Sequence, residues 1–228
     1  MVTITDSIST HVTDCALGVT MGYFSDLHLG AAWSPGPAWI ESVLDSVDVD
    51  VVVFGGDLVD YKSGTAEDVA RASSLLKTIS DGLGLPLVIV WGNHDAALNL
   101  DLELAWVHDH RNIFCPGSTS QAESVRFPSI PVIFHALNVG ERNDYRHVID
   151  AYPIAHRQSS PDVAHVGILH TSLTGELSKN PCLPTTPSEL RSKNYVAWLL
   201  GHVHTPHIVG DKPLIGWPGT GHFWRVTV

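Results

Sequence analysis

Seven side chains able to hold a metal ion, Asp26, His28, Asp57, Asn93, His170, His202 and His204, stand in five short clusters along the chain. Each cluster directly follows an apolar run: Asp26-Leu27-His28 after VTMGYFS, Gly55-Gly56-Asp57 after VDVVVF, Gly92-Asn93-His94-Asp95 after PLVIVW, His170 after HVGIL, and Gly201-His202-Val203-His204 after YVAWLL. In open α/β sheets ligands bind in the crevice outside the carboxyl ends of the strands, so clusters distant in sequence can face one site. In Asp26-x-His28 and His202-x-His204 the spacing of two puts both side chains of a pair on one face of a strand. The glycines ahead of Asp57, Asn93 and His202 allow sharp strand exits and close backbone approach to an ion or a phosphate. One Asp-x-His alone is a weak signal, because an isolated histidine is usually structural. The joint pattern, with each cluster at a strand exit, is what points to a site.

The donors are oxygen and nitrogen with no thiolate, which suits manganese, iron or zinc in a reactive site rather than a structural zinc, which favours cysteine. Asp57 can bridge two ions, and Asn93 supplies a neutral amide oxygen that leaves the pair with net positive charge. Two ions about 3.5–4 Å apart turn a bridging water into hydroxide at neutral pH and hold phosphoryl oxygens as charge moves to the leaving oxygen. The expected chemistry is therefore hydrolysis of phosphoesters at a dinuclear centre.

Positioning such a site requires an α/β domain, and the chain alternates accordingly. Strands are expected at 19–25, 50–54, 85–91, 130–137, 165–170, 195–200 and 222–228. A helix opens at Ser34-Pro35 and runs through the stripe Trp39, Ile40, Val43, Leu44 and Val47. A second spans Thr65 to Ser80 ahead of Gly82, and a third lies near Ser188 to Lys193. Residues 1–18 carry no clear period and form a lead segment outside the core pattern, leaving 19–228 as a single domain. The stretch 140–161 has no readable period and is either a substrate-facing loop or a surface excursion.

Composition narrows the functional classes. A hydrophobic fraction of 44% with 16% charged residues excludes disorder. No run approaches the roughly 18 apolar residues of a membrane helix, and the start lacks a signal-peptide pattern, so no membrane role and a cytoplasmic location are expected. Cys15, Cys115 and Cys182 fit a reducing compartment and read as structural. A net charge of −11 argues against a long nucleic-acid contact, although bound cations would offset it locally. Trp91 and Trp217 adjoin strands and read as core, and His207 and His222 match no ligand position.

The ordered set SDLHL, GGDLVD, WGNHD, LHTS and GHVH resembles the calcineurin-like metallophosphoesterase superfamily over about Val19 to His204. The resemblance implies a sandwich of two mixed β-sheets flanked by α-helices. It also implies one metal held by Asp26, His28, Asp57 and His204, a second held by Asp57, Asn93, His170 and His202, and manganese as the ion. His94 would stabilise or protonate the leaving oxygen and Asp95 would orient it. The segment from LHTSLTGE to WPGTGHFWRV is further similar to SbcD-type DNA repair exonucleases, which implies a nuclease acting on DNA. Asp60 departs from that pattern, standing where archaeal relatives carry a further histidine, and it is expected to support a metal ligand. The sequence stops near Val228, where a DNA-capping domain and ATPase-binding helices would follow, so an SbcC-type ATPase partner is expected only with its usual binding region missing. The alternatives are a phosphodiesterase or phosphatase for a small molecule such as a nucleotide, and a catalytically silent metal-binding scaffold.

Overall fold

The computed structural model describes residues 7–156, 162–178 and 180–228. Two mixed six-stranded sheets stack face to face. The first holds β1 (Ile8–Val12), β2 (Thr20–Phe24), β3 (Val51–Phe54), β4 (Leu87–Ile89), β5 (Ile113–Phe114) and the last strand, β12 (Phe223–Thr227), in the order β1-β12-β2-β3-β4-β5. The second holds β6 (Glu123–Val125), β7 (Val132–Ala136), β8 (Ala164–His170), β9 (Ala197–Gly201), β10 (His207–Asp211) and β11 (Leu214–Trp217), in the order β10-β11-β9-β8-β7-β6. The strands that carry the clusters run parallel: β2, β3 and β4 in one sheet, β8 and β9 in the other.

The residue pattern explains the layering. Val51-Val52-Val53-Phe54 is an unbroken apolar run because both of its faces are covered. Val51 and Val53 meet Val166, Ile168 and Leu199 between the sheets, whereas Val52 and Phe54 meet Val43, Leu44, Leu75 and Leu76 of two helices, α1 (Pro37–Ser46) and α2 (Ala66–Lys77). On the far side of the second sheet, Leu169, Trp198 and Leu200 pack with Leu190 and Tyr152. Two short helices follow β4, α3 (Asn93–Ala97) and α4 (Leu100–Glu103), and a fifth, α5 (Pro187–Ser192), precedes β9. Capping boxes fix the starts of α2, with Thr65 and Asp68, and of α5, with Thr186 and Glu189.

Several expectations need correction. The helix expected from Ser34-Pro35 starts at Pro37, because the Ser34 hydroxyl donates to the Leu27 carbonyl at 2.6 Å and accepts from the Gly36 N–H instead of capping. The lead segment is part of the fold where it is described: Ile8–Val12 pairs in parallel with Phe223–Thr227 as an edge strand. Residues 1–6 of that segment and 157–161 of the 140–161 stretch lie outside the described residues. No helix among the described residues is long and apolar enough to cross a membrane.

Candidate metal centre

The ends of β2 and β3 join backbone to backbone, and the two parallel strand sets meet through side chains. The Asp26 N–H donates to the Gly56 carbonyl at 2.9 Å, His170 Nδ1 bonds the Gly55 carbonyl at 2.9 Å, and the His202 N–H donates to both Asp26 carboxylate oxygens at 3.1 Å. These contacts bring all seven donor side chains to one place. Asp26, His28, Asp57, Asn93 and His170 are buried, while the His204 side chain keeps 46% of its surface open to solvent.

The donor atoms form two nests. In one, His28 Nε2 lies 3.0 Å from His204 Nε2, 3.8 Å from Asp26 Oδ1 and 3.6 Å from Asp57 Oδ2. In the other, Asn93 Oδ1 lies 2.9 Å from His202 Nδ1 and 3.1 Å from His170 Nε2, which is itself 3.4 Å from Asp57 Oδ2. Asp57 Oδ2 is the atom common to both. The ion-pair partners of Asp26 and Asp57 among the described residues are histidines, not lysine or arginine. Unsupported carboxylates this deep are costly unless cations join them.

The backbone is bent to make this arrangement. Asp26, His28, Asp57 and His202 all have positive φ, at 56°, 47°, 60° and 95°. Such conformations cost a non-glycine residue about 1–3 kcal/mol each and collect at functional sites. Gly56, at φ 96°, and Gly92 are where bulk is excluded: a Cβ on Gly56 would meet His170 Nδ1 at 2.7 Å, and one on Gly92 would overlap Asp57 Oδ1.

Charge follows the geometry. Burial opposes ionisation of Asp57, but His170 and His28 hold its carboxyl well below the usual range. Burial likewise opposes the His170 cation, yet Asp57, Asp26 and the Gly55 carbonyl push it up to about 9. His28 is raised by its carboxylate neighbours against burial, whereas burial and the His170 charge push His202 down to about 4. Positive charge therefore gathers among the carboxylates, where the donor set calls for cations.

Around the donors, His94 Nδ1 lies 3.2 Å from Asp60 Oδ2 and also accepts the Tyr61 N–H at 3.2 Å. The neutral ring can accept from Tyr61 and present Nε2–H outward, and the protonated ring pairs with Asp60. Asp60 also comes within 3.6 Å of His28 Nδ1. The expectation that Asp95 orients His94 fails. Asp95 instead accepts the N–H groups of Asp57, Leu58, Val59 and Gly92 at 2.7–3.2 Å, bracing the loop that carries Asp57. Burial and the Asp57 charge push its carboxyl up to about 7. Trp91 and Trp217 are core, as read from their positions.

Other neighbours escaped sequence reasoning. His202 Nε2 contacts the Asn180 carbonyl at 2.7 Å and the Ser178 hydroxyl at 2.9 Å. The Cys182 sulfur lies within 4.8 Å of donor nitrogens of His170 and His202. Burial pushes that thiol up, and it donates to the His170 carbonyl at 3.5 Å, so it stands there as a neutral group. Trp33, Tyr61 and Arg142 flank His94 and His204 in an adjoining groove.

The family model described as calcineurin-like phosphoesterase matches residues 20–206. An uncharacterized metallophosphoesterase, YhaO of Bacillus subtilis (strain 168), is 25% identical over 178 residues, covering 75% of this chain and 41% of that protein. The chain thus spans less than half the length of this relative. Among solved structures, TT1561 of Thermus thermophilus superposes with a TM-score of 0.51 at 14% identity, covering 90% of each chain. A dimetal phosphatase from Danio rerio gives 0.50 at 12% identity, covering 91% of this chain and 86% of that one. These two likenesses bear on the fold.

Proposed function

Starting from a chain that belongs to the calcineurin-like phosphoesterase family and is a metal-dependent phosphoester hydrolase, we propose that it cleaves phosphodiesters and that DNA is the substrate. The observation that carries the reading is Asp57 Oδ2, placed 3.6 Å from His28 Nε2 and 3.4 Å from His170 Nε2, which lets one carboxylate serve two ions. The donor chemistry fits two divalent cations. Asp26, His28, Asp57 and His204 would hold one, and Asp57, Asn93, His170 and His202 the other, with manganese the proposed metal. Bound there, the pair supplies Lewis acidity, which acidifies water and neutralises phosphoryl oxygens.

The protein's own groups do the rest. His94 sits at the rim of the donor cluster, its Nδ1 accepting the Tyr61 N–H in the neutral ring and facing Asp60 in the protonated one, so Nε2–H is left to donate to the leaving oxygen. That interaction grows as the oxygen gains charge, which is the kind that lowers a barrier. Asp95 keeps the Asp57 loop in place, and Asn180 fixes the ring of His202 through its far nitrogen. The site lies open through a cavity of about 270 Å³ lined by Asp57, Asn93, His94 and His204.

The DNA assignment is supported by the SbcD-like segment from LHTS to WPGTGHFWRV. A small phosphodiester is the second reading, favoured by the net charge of −11, which leaves few cations to neutralise a duplex. The purified chain with manganese is expected to degrade single-stranded DNA faster than it hydrolyses a mononucleotide ester, with magnesium poorer and only a shallow salt dependence of binding. Survival of every form of DNA while a small phosphodiester is consumed would transfer the assignment to the second reading.

A further inference from the structure

A second groove, of about 550 Å³, opens beside the metal cavity and shares Asn93, His94, Asn180 and His204 with it. In an acidic chain its lining sets two cations, Arg142 and Lys62, against one carboxylate, the buried Asp60. Trp33 leaves 53% of its surface exposed while its ring backs onto His28 and His204, with centroids 4.9 and 5.2 Å away. An indole held on one side by metal-site histidines and bare on the other is a stacking platform. Opposite, the Arg142 guanidinium lies 4.1 Å above the Tyr61 ring, and Tyr61 in turn packs at 4.7 Å against His94. Arg142 lines the groove and enters no ion pair among the described residues, and Lys62 adds a second cation 5.6 Å from the same ring.

The Arg142 loop is anchored rather than loose. Fully buried Asp144 accepts the Gly140 N–H at 2.9 Å and Arg146 Nε at 2.7 Å, and its carbonyl accepts the Leu183 N–H at 2.8 Å. The stretch whose sequence showed no period thus lines the groove at its start and is tied to the 180–183 segment that supplies Asn180.

We propose that this groove seats one nucleotide unit of the substrate next to the bond that is cut, its base stacked on Trp33 and a second phosphate held by Arg142 and Lys62. The proposal rests on the hydrolase reading above. A lone phosphate would leave the indole unused, and an apolar ligand would leave the two cations unused. The volume suits one ligand of nucleotide size, since such pockets run about 300–1,000 Å³.

Calorimetry of the full chain with hydrolysis-resistant phosphorothioate dinucleotides, their integrity checked after each titration, tests this, using probes with and without a 5′-phosphate and with one base removed. Trp33→Ala should weaken binding of the base-bearing probe roughly tenfold to a hundredfold and narrow its advantage over the abasic probe. Arg142→Ala should weaken, by about tenfold or more, only the probe that carries the extra phosphate. Tyr145→Ala, an exposed aromatic outside the groove, is the control, and metal content is measured in every variant. Longer single strands binding no more tightly than the dinucleotide would identify a free nucleotide as the occupant, and affinity that climbs with length would identify a strand end. Wild-type selectivity retained by both groove variants would overturn the proposal. Turnover of methyl 4-nitrophenyl phosphate is read separately, so that a failure of the hydrolase reading, with no turnover, stays distinct from a failure of the groove.

Discussion

Loading this site with metal should release protons, with His170 setting the scale. Its imidazole is pushed to about 9 by Asp57, Asp26 and the Gly55 carbonyl acting against burial, compared with an ordinary value of about 6.5. At pH 7 the metal-free protein therefore holds that proton, and the nitrogen must give it up to bind an ion. The displacement costs about 2 pH units of affinity, on the order of 3 kcal/mol. Apparent affinity should rise about tenfold per pH unit from pH 7 and level off near pH 9, with His28, also raised, steepening the rise. The same shift has the opposite sign for the metal-free fold. A raised histidine contributes stability that is complete below about 6.5 and lost as pH climbs through about 9, on the order of 3 kcal/mol for His170. The metal-free protein should weaken over that window while the loaded protein gains. Calorimetric titration with manganese in buffers of different ionisation enthalpy counts the protons, and chemical unfolding of both forms gives the stabilities. Affinity that stays flat from pH 7 to 9, with no proton released, would refute the reasoning.

Asp57→Asn should lower bound metal and abolish turnover together, while Glu67→Gln on the exposed face of α2 does neither; metal analysis beside an aryl phosphodiester assay reads both. His94→Gln should retain its ions yet lose roughly 10²–10⁴ in rate, and a loss of metal instead would make His94 a ligand. Outside the donor cluster, burial and His165 push His135 down to about 3. A neutral buried histidine contributes stability that is present above about 6.5 and lost as pH falls, so urea midpoints should drop between pH 6.5 and 3, by at most about 1.4 kcal/mol per unit from this group. His135→Phe should flatten that slope.

The central strands were legible because chains covered on both faces spell uninterrupted apolar runs, as in Val51–Phe54 and Ala197–Gly201. The edge strand Ile8–Val12 reads Ile-Ser-Thr-His-Val with exposed positions, and the two-residue strand at Ile113–Phe114 is too short to carry a period. The candidate donors stand at the ends of those same runs, and the structure brings the seven side chains together. The bracing around them was harder to read. Asp95 follows His94 in sequence, but successive residues of the helix Asn93–Ala97 turn about 100° apart, so Asp95 points back to the Asp57 loop while Asp60 meets His94. Trp33, Tyr61 and Arg142 arrive on three separate loops, and only the folded chain brings them to one groove.

The dinuclear claim meets its most direct test in a single titration, in which metal-stripped protein receives manganese in steps while bound ions per chain and hydrolysis of an aryl phosphodiester are followed together. Turnover is predicted to remain negligible at the first equivalent and to saturate at two ions per chain. Full activity at one ion, or none at two, would contradict it.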